Sequence, residues 1–446
     1  TSTFMDKHVG QGKPNPGQEL GDDHPAPSRV MYYLYREKTG PNRKGRRHIA
    51  TVDHDNLDEF VEYVDAGLDD GTYTYDQTAV ILYDRNWYYA KSTNATVSLP
   101  GNVVTTPEMP NYPTHGLGHE DVASVYVSDG VIYAGTSGGG VSVVQRDGSI
   151  KRYTKADGLG DNRVPGLYVS DGVIYAGTWG GVSVIQRDGS IKTYTEADGL
   201  AHNYVWSVYV SDGVIYAGTF GGVSVIQQSD GSIKTYRDGL GGKNVQSMHV
   251  SDGVIYAGTY GGGVSVIQQR DGSIKTYTEA DGLADNHVRN LYVSEGVIYV
   301  GTYGGVSVIQ RDGSIKTYTE ADGLAHNHVR NLYVSEGVIY AGAYGGVSVI
   351  QQSDGSIKTY TNDDLGSFVV RSVYVSDGVI YTGTYGGGVS VIQQSDGSIK
   401  TYTEADGLAD NHVRNLYVSD GVIYAGTESG LSISHDGGES FITITK

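Results

Sequence analysis

Four arginines stand at one position of a recurring segment. Arg289, Arg330, Arg371 and Arg414 each follow the valine that opens a stretch such as Val288-Arg-Asn-Leu-Tyr-Val-Ser294. The corresponding earlier positions hold Ala123, Pro165, Trp206 and Gln246. A second recurring position, directly after Gly-Thr (Gly-Ala once), holds Trp179, Phe220, Tyr260, Tyr303, Tyr344 and Tyr385, with Ser137 and Glu428 in the first and last segments. Guanidinium donors beside aromatic faces suit a sugar or an anion, because C–H faces stack on rings while carboxylates and hydroxyls accept hydrogen bonds. All ten residues are therefore candidate ligand-binding residues; the competing reading packs each aromatic between adjacent segments as core.

Other chemistries fare less well. His202, His287, His326, His328 and His412 lie between segments, but the segment of Val370 has none. The histidines read as solvated loop residues, and neither a metal nor another cofactor is expected. Glycoside hydrolysis needs two acids that depart from the repeat, and Glu428 stands alone. The acids Glu196/Asp198, Glu279/Asp281, Glu320/Asp322 and Glu404/Asp406 recur too evenly to form one catalytic constellation. Serine reads as a turn residue rather than a nucleophile. No cysteine is present, which removes thiolate chemistry and disulfides. No catalytic residue is expected, and the protein reads as non-enzymatic.

Composition narrows the partners. The 446 residues carry 32 Lys and Arg against 51 Asp and Glu, a net charge of −19. That balance argues against nucleic acid, whose binding is driven by cation contacts to phosphate. No apolar run approaches the ~20 residues of a membrane-spanning helix. No signal peptide is visible, and the segment begins at Thr1.

Gly-Val-Ile-Tyr recurs eight times, its valines being Val131, Val173, Val214, Val254, Val297, Val338, Val379 and Val422. A period near forty residues marks either a propeller blade or a helical repeat. The unit from Val288 decides for the propeller: four short β-rich runs are separated by Glu295-Gly296, Tyr303-Gly304-Gly305 and Asp312-Gly313. Asp-Gly between alternating strands predicts type I′ hairpins, in which both central residues take positive φ. Eight units predict a mainly β, eight-bladed propeller of four-stranded antiparallel blades, with seven blades as the alternative. The Asp-Gly turns fall on one face and the aromatic loops and inter-blade segments on the other, the top. Asp pairs such as Asp129/Asp147, Asp171/Asp188 and Asp377/Asp396 are explained by turn chemistry.

The repeat, with Gly301-Thr-Tyr-Gly-Gly-Val-Ser-Val308 and Tyr318-Thr-Glu-Ala-Asp-Gly-Leu324, resembles the two-component-regulator propeller repeat over residues 116 to 446. The resemblance implies a propeller of the kind found in extracytoplasmic sensor regions and other surface proteins. Tyrosine replaces the family's usual tryptophan before the second strand's Gly-Thr. No kinase or response-regulator segment follows, so a signalling receptor is not implied. Ser434-His-Asp-Gly-Gly-Glu-Ser-Phe441 resembles the Asp box of sialidase-type propellers, which is structural and lies away from the active site.

The remainder differs in composition. Residues 1–29 read as an extended or disordered arm. Residues 30–99 read as a small α+β anchoring domain in the order β-β-α-β-β, its helix carried by Leu57, Phe60, Val61 and Val64; no family resemblance covers it. Residues 100–115, with Pro100, Pro107, Pro110 and Pro113, read as a semi-rigid linker. Arg43-Lys-Gly-Arg-Arg47 reads as a solvated basic hairpin tip, and Asn94-Ala-Thr96 fits a glycosylation acceptor. The expectation is a surface-displayed binding or assembly protein, extracellular or on a virion or cell. Its propeller would recognise a glycan or protein, and residues 1–115 would join it to a larger assembly or to copies of itself. The alternatives are a purely structural, self-assembling subunit and a polysaccharide hydrolase or lyase.

Overall fold

The computed structural model describes strands at 29–39, 47–54, 71–83, 86–89 and 93–99 and every residue from 112 to 446 except 420. The chain divides into two compact units, Thr1–Met109 and Pro110–Lys446. In the first, β1 (Arg29–Thr39), β2 (Arg47–His54), β3 (Gly71–Tyr83), β4 (Asn86–Tyr89) and β5 (Thr93–Leu99) form one antiparallel sheet. The long β3 pairs with β1 along one edge. Along its other edge it meets β4, with Val80 opposite Tyr89, and then β5, with Gly71 opposite Leu99. Both expected hairpins are present, and β5 is an addition that holds Asn94 opposite Asp76. The expected helix, the arm up to residue 28, most of the basic tip and residues 100–111 lie outside the described residues.

The second unit is an eight-bladed propeller, settling the count of eight over seven. The blades span 122–153, 166–194, 205–236, 245–277, 288–318, 329–361, 370–402 and 413–444, each four antiparallel strands in sequential order. In blade five the strands are Val288–Ser294, Val297–Thr302, Val306–Ile309 and Ile315–Tyr318. The turn between first and second strands is the expected type: Asp129 and Gly130 have φ of 50° and 67°, and Glu295 and Gly296 of 49° and 74°. The turn between third and fourth strands is different. There only the glycine takes positive φ, 88° at Gly313, while Asp312 Oδ1 accepts hydrogen bonds from the Ser314 N–H and hydroxyl. The aspartate is selected for this Asx bond rather than for a left-handed backbone.

The core lies between blades. The second strand alternates into both neighbours, so Tyr175, Val182 and Val184 of blade two pack with Leu200 of the connecting loop and with Val205 and Ile215 of blade three. Seven further clusters repeat this around the ring. At five joints the leucine of Asp-Gly-Leu enters on a short 3-10 turn. Between blades two and three, for example, Asp198 accepts from the N–H and hydroxyl of Thr195 and the Leu200 N–H donates to the Thr195 carbonyl. Leu240 enters without that turn and Leu365 on a single α-helical turn. A buried third-strand serine then receives the loop, Ser224 Oγ accepting from the Ala201 N–H. On the outermost strands, Lys151, Lys192, Lys234, Lys275, Lys316, Lys358 and Lys400 each stack over a tyrosine two residues on. Lysines there leave the open edges unfit for pairing with another strand.

The ring closes without a covalent loop. Thr445 stands where Thr195 stands in its own repeat, and the Leu117 N–H donates to its carbonyl at 3.0 Å, as the Leu200 N–H does to Thr195 at 3.1 Å. Fully buried Leu117 completes the cluster shared by blades eight and one, together with Tyr112, Leu431, Ile433 and Ile444. The propeller thus begins several residues before the sequence boundary drawn at 116.

The innermost strands add a belt around the channel. Tyr126, Tyr168, Tyr209, His249, Tyr292, Tyr333, Tyr374 and Tyr417 occupy one register position. In seven of the eight neighbouring pairs the rings lie 5.2–6.0 Å apart, as at Tyr333–Tyr374 and Tyr126–Tyr168. Burial raises the Tyr374 hydroxyl to about 12 and lowers the His249 imidazole, so both stay neutral.

Leu117→Ala and Leu200→Ala should each destabilise the propeller by about 2–5 kcal/mol, the cost of a core cavity. If the open joint equals a covalent one, urea unfolding of the two variants will show matching shifts. His249→Tyr should raise the thermal midpoint by a few degrees, because it restores the repeat's ring and removes a group that resists charging.

Candidate functional site

The top mouth is built by a β-bulge. In seven blades the register between first and second strands slips one residue after the opening valine. The residue left out of the ladder is Ala123, Trp206, Gln246, Arg289, Arg330, Arg371 or Arg414. Blade two has Pro165 there, just before its first strand, where no N–H is needed. A bulge re-aims a side chain, so one residue type per blade is presented at the channel's upper end. Blades one to three present Ala, Pro and Trp; blade four presents Gln; blades five to eight present Arg.

The four arginines do come together, but they are not equivalent. Arg414 Nη2 donates to Asp121 Oδ2 at 2.8 Å and lies 3.2 Å from Glu428 Oε1. Arg371 lies 3.7 Å from the same Glu428 oxygen and stacks over Tyr385, its Cζ 4.4 Å from the ring centre. Burial and then the charges of Arg414 and Arg330 hold the Arg371 guanidinium below its ordinary range. Arg289 Nη1 donates instead to the neutral Gln246 Oε1 at 2.6 Å, and Arg330 Nη1 to the Tyr344 hydroxyl at 3.2 Å. Glu428, which departs from the repeat, is therefore a counter-ion for two arginines; Asp121 lay beyond reach of sequence reasoning because it meets Arg414 across the seam.

The six loop aromatics are on the rim rather than in the core between blades. Phe220, Tyr260 and Tyr385 are 49%, 44% and 45% exposed; Trp179, Tyr303 and Tyr344 are half-buried. They interleave with the inter-blade histidines. Tyr303 stacks on His287 at 5.3 Å and meets His328 at 3.9 Å, and His328 meets Tyr344 at 4.4 Å. Tyr260 and Tyr385 meet His287 and His412 edge-on, while Phe220 lies against His202. Across the ring, Trp179 takes Arg163 over its face and packs against Tyr204 and Trp206. Exposed Tyr204 and Phe368 join the rim; Tyr204 interrupts a His position of the repeat and Phe368 an Asn position, a signal the sequence carries.

Polar groups at the mouth are left over. Among the described residues, six buried side-chain atoms lack a hydrogen-bond partner, and five belong here: Asp121 Oδ1, Trp206 Nε1, Asn244 Oδ1, Arg371 Nε and Arg414 Nε. Buried polar atoms are nearly always paired in proteins, so this concentration sets the mouth apart from the rest of the described propeller.

Catalytic arrangements are weaker. Gly135-Thr-Ser137-Gly-Gly139 spells Gly-x-Ser-x-Gly, yet it joins two strands rather than a strand and a helix. Asp410 holds both Ser429 and the His412 Nδ1, so serine bonds the carboxylate and not the imidazole. The recurrent Glu and Asp of the loops are occupied in capping, as when Glu196 Oε1 accepts from the Asn203 N–H. Ser434–Phe441 lies at the turn of the last two strands, where Asp436 accepts from Ser434 and Ser440. No group of His, Cys, Asp and Glu among the described residues is placed to hold a metal, and no described helix is long and apolar enough to cross a membrane.

No family model and no curated protein sequence matches the chain. Among solved structures it resembles the computationally designed Ika8 protein, at 15% identity and a TM-score of 0.57 over 75% of this chain and 98% of that one. It also resembles Sqt1 of Saccharomyces cerevisiae, at 13% identity and a TM-score of 0.53 over 72% and 97%. The extracellular domain of the one component system BT4673 from B. thetaiotaomicron aligns at 15% identity and a TM-score of 0.49, over 82% of this chain and 57% of that one. The first two likenesses show the propeller fold.

His328 makes the mouth sensitive to acid. Burial first, then Arg330 and Arg289, lower its imidazole to about 4. The unfolded chain, near 6.5, binds the extra proton first, so stability falls as pH drops from about 6.5 towards 4. His328→Asn should shrink that loss in denaturant melts run across this range. Below it, the Asx and capping aspartates, held under their ordinary value by hydrogen bonds, should add a steeper loss as pH passes through their lowered values.

Proposed function

We propose that this is a non-enzymatic binding protein of an extracellular, cell or virion surface. Its propeller mouth takes an anionic glycan or protein ligand, and residues 1–115 attach it to a larger assembly. The observation that supports this reading most is the mouth itself: arginines from four successive blades, a rim of exposed aromatics, and a concentration of unpaired buried polar atoms. Stacking on the rim and charge-assisted bonds below it are the two halves of acidic-sugar recognition. The rest of the repeat is spent on turns, caps and joints, which leaves the positions that depart from it for the ligand.

Tyr303/Tyr344/Tyr385→Ala, all rim substitutions, should weaken glycan-array binding at least about tenfold while the thermal midpoint of the propeller stays near that of the parent. Binding unaffected by the triple change would remove the top face from the proposal.

A further inference from the structure

The charges of the mouth are unevenly matched. Both carboxylates that pair with the arginines, Asp121 and Glu428, serve Arg371 and Arg414 at blades seven and eight. Arg289 and Arg330, on blades five and six, have only an amide oxygen and a phenol as partners. They occupy the same bulge position on adjacent blades; Arg330 lies over Tyr344, its Cζ 5.6 Å from the ring centre, Tyr344 meets His328 at 4.4 Å, and both charges bear on that imidazole. The wall of that neighbourhood is the continuous stack Tyr260–His287–Tyr303–His328–Tyr344.

We propose that Arg289 and Arg330, with His328 beside them, form an anion subsite that takes the carboxylate of a uronic-acid-type sugar. This rests on the reading of the top mouth as a ligand site. Two forked guanidiniums from adjacent blades match one carboxylate, and the exposed Tyr260 beside the half-buried Tyr303 offers faces for the sugar's C–H groups. The Glu428 end of the mouth repels a second anion, so the carboxylate is directed to one side of the ring.

A proton comes with the ligand. The groups facing His328 are Arg330, Arg289, His326 and Asp285, with the rings of Tyr303 and Tyr344 on either side. Asp285 is held by His287 Nδ1 at 2.8 Å, and His326 lies 3.8 Å from Glu320. An anion placed between the two arginines cancels much of the repulsion that adds to burial in keeping His328 neutral. Binding therefore raises the imidazole pKa, and by linkage affinity rises as pH falls through that raised value towards about 4. The free sugar acid remains ionised over most of that range.

The test uses the full chain titrated calorimetrically with an oligogalacturonate and with its methyl ester, between about pH 7.5 and 4.5. The acid form should bind at least about tenfold more tightly than the ester, and more tightly at the acid end. R289Q and R330Q should each cost about tenfold or more, with R330K recovering only part and R371Q costing less than either. The His328 resonances should titrate higher with the ligand bound, and H328N should flatten the pH profile; thermal melts confirm that each variant is folded. A greater loss with R371Q than with R289Q and R330Q, or a His328 titration unmoved by ligand, overturns the subsite and leaves the top-face reading standing. Binding of polyglutamate through the same arginines without binding of the uronate overturns the sugar class. Failure of glycans, acidic or neutral, and of polyglutamate to bind overturns both readings together.

Discussion

One joint governs the architecture. A leucine on a tight turn is driven between two blades, and its N–H is returned to the threonine that starts the turn. Burying that side chain fixes the spacing of successive sheets; the hydrogen bond fixes where the chain leaves one blade and enters the next. Leu159, Leu200, Leu283, Leu324 and Leu408 make the joint within the chain, and Leu117 makes it through space with Thr445. Because the last has the same geometry as these five, the ring closes on a contact it already uses although no loop joins blades eight and one. Everything at the top face inherits its position from this joint, since the loop aromatics and histidines are its immediate neighbours.

Uniformity in the joints permits variety at the bulge. A residue outside the ladder contributes no backbone pairing and no core volume, so its identity costs the fold little. That is where the repeats diverge, from Ala123 through Trp206 to Arg414. The neighbouring position is held more tightly: Asn290, Asn331 and Asn415, or Ser247 and Ser372, each accept from a backbone N–H of the next blade's inner strand. A free position and a fixed one thus alternate along the same strand. The propeller keeps an invariant frame and carries a graded set of side chains, apolar on one side and cationic on the other.

The blades, their number and the first turn of each were legible in the sequence because each is settled locally, within about forty residues, by alternation and by glycine. The third-to-fourth turn was misread in its details. Asp-Gly spells two backbone solutions, and only Ser149 and its equivalents, two residues after the aspartate, distinguish the Asx form. The ten mouth residues were nameable from their register, but their inequality was not. Arg414 and Asp121 are nearly three hundred residues apart in sequence, and their pairing depends on closure. The inner belt was visible as a tyrosine in almost every repeat, with His249 the exception, yet nothing local says that eight separate tyrosine positions face a common axis. Strand β5 was hidden because Thr93–Leu99 follows β4 with hardly a break and returns to the same edge of β3.

The seam differs from the other joints in its side chains. Leu431, Ile433 and Ile444 replace the usual valines and tyrosine, and Tyr112 stacks on His435 at 6.0 Å. The other seven interfaces are near-copies, so a ring that skipped one sheet, or borrowed one from a neighbouring molecule, would satisfy them as well as the right one. Only an interface with its own shape can reject such a miscount. The molecule's census of its own parts is kept above all at the seam, whose core side chains depart from the shared pattern.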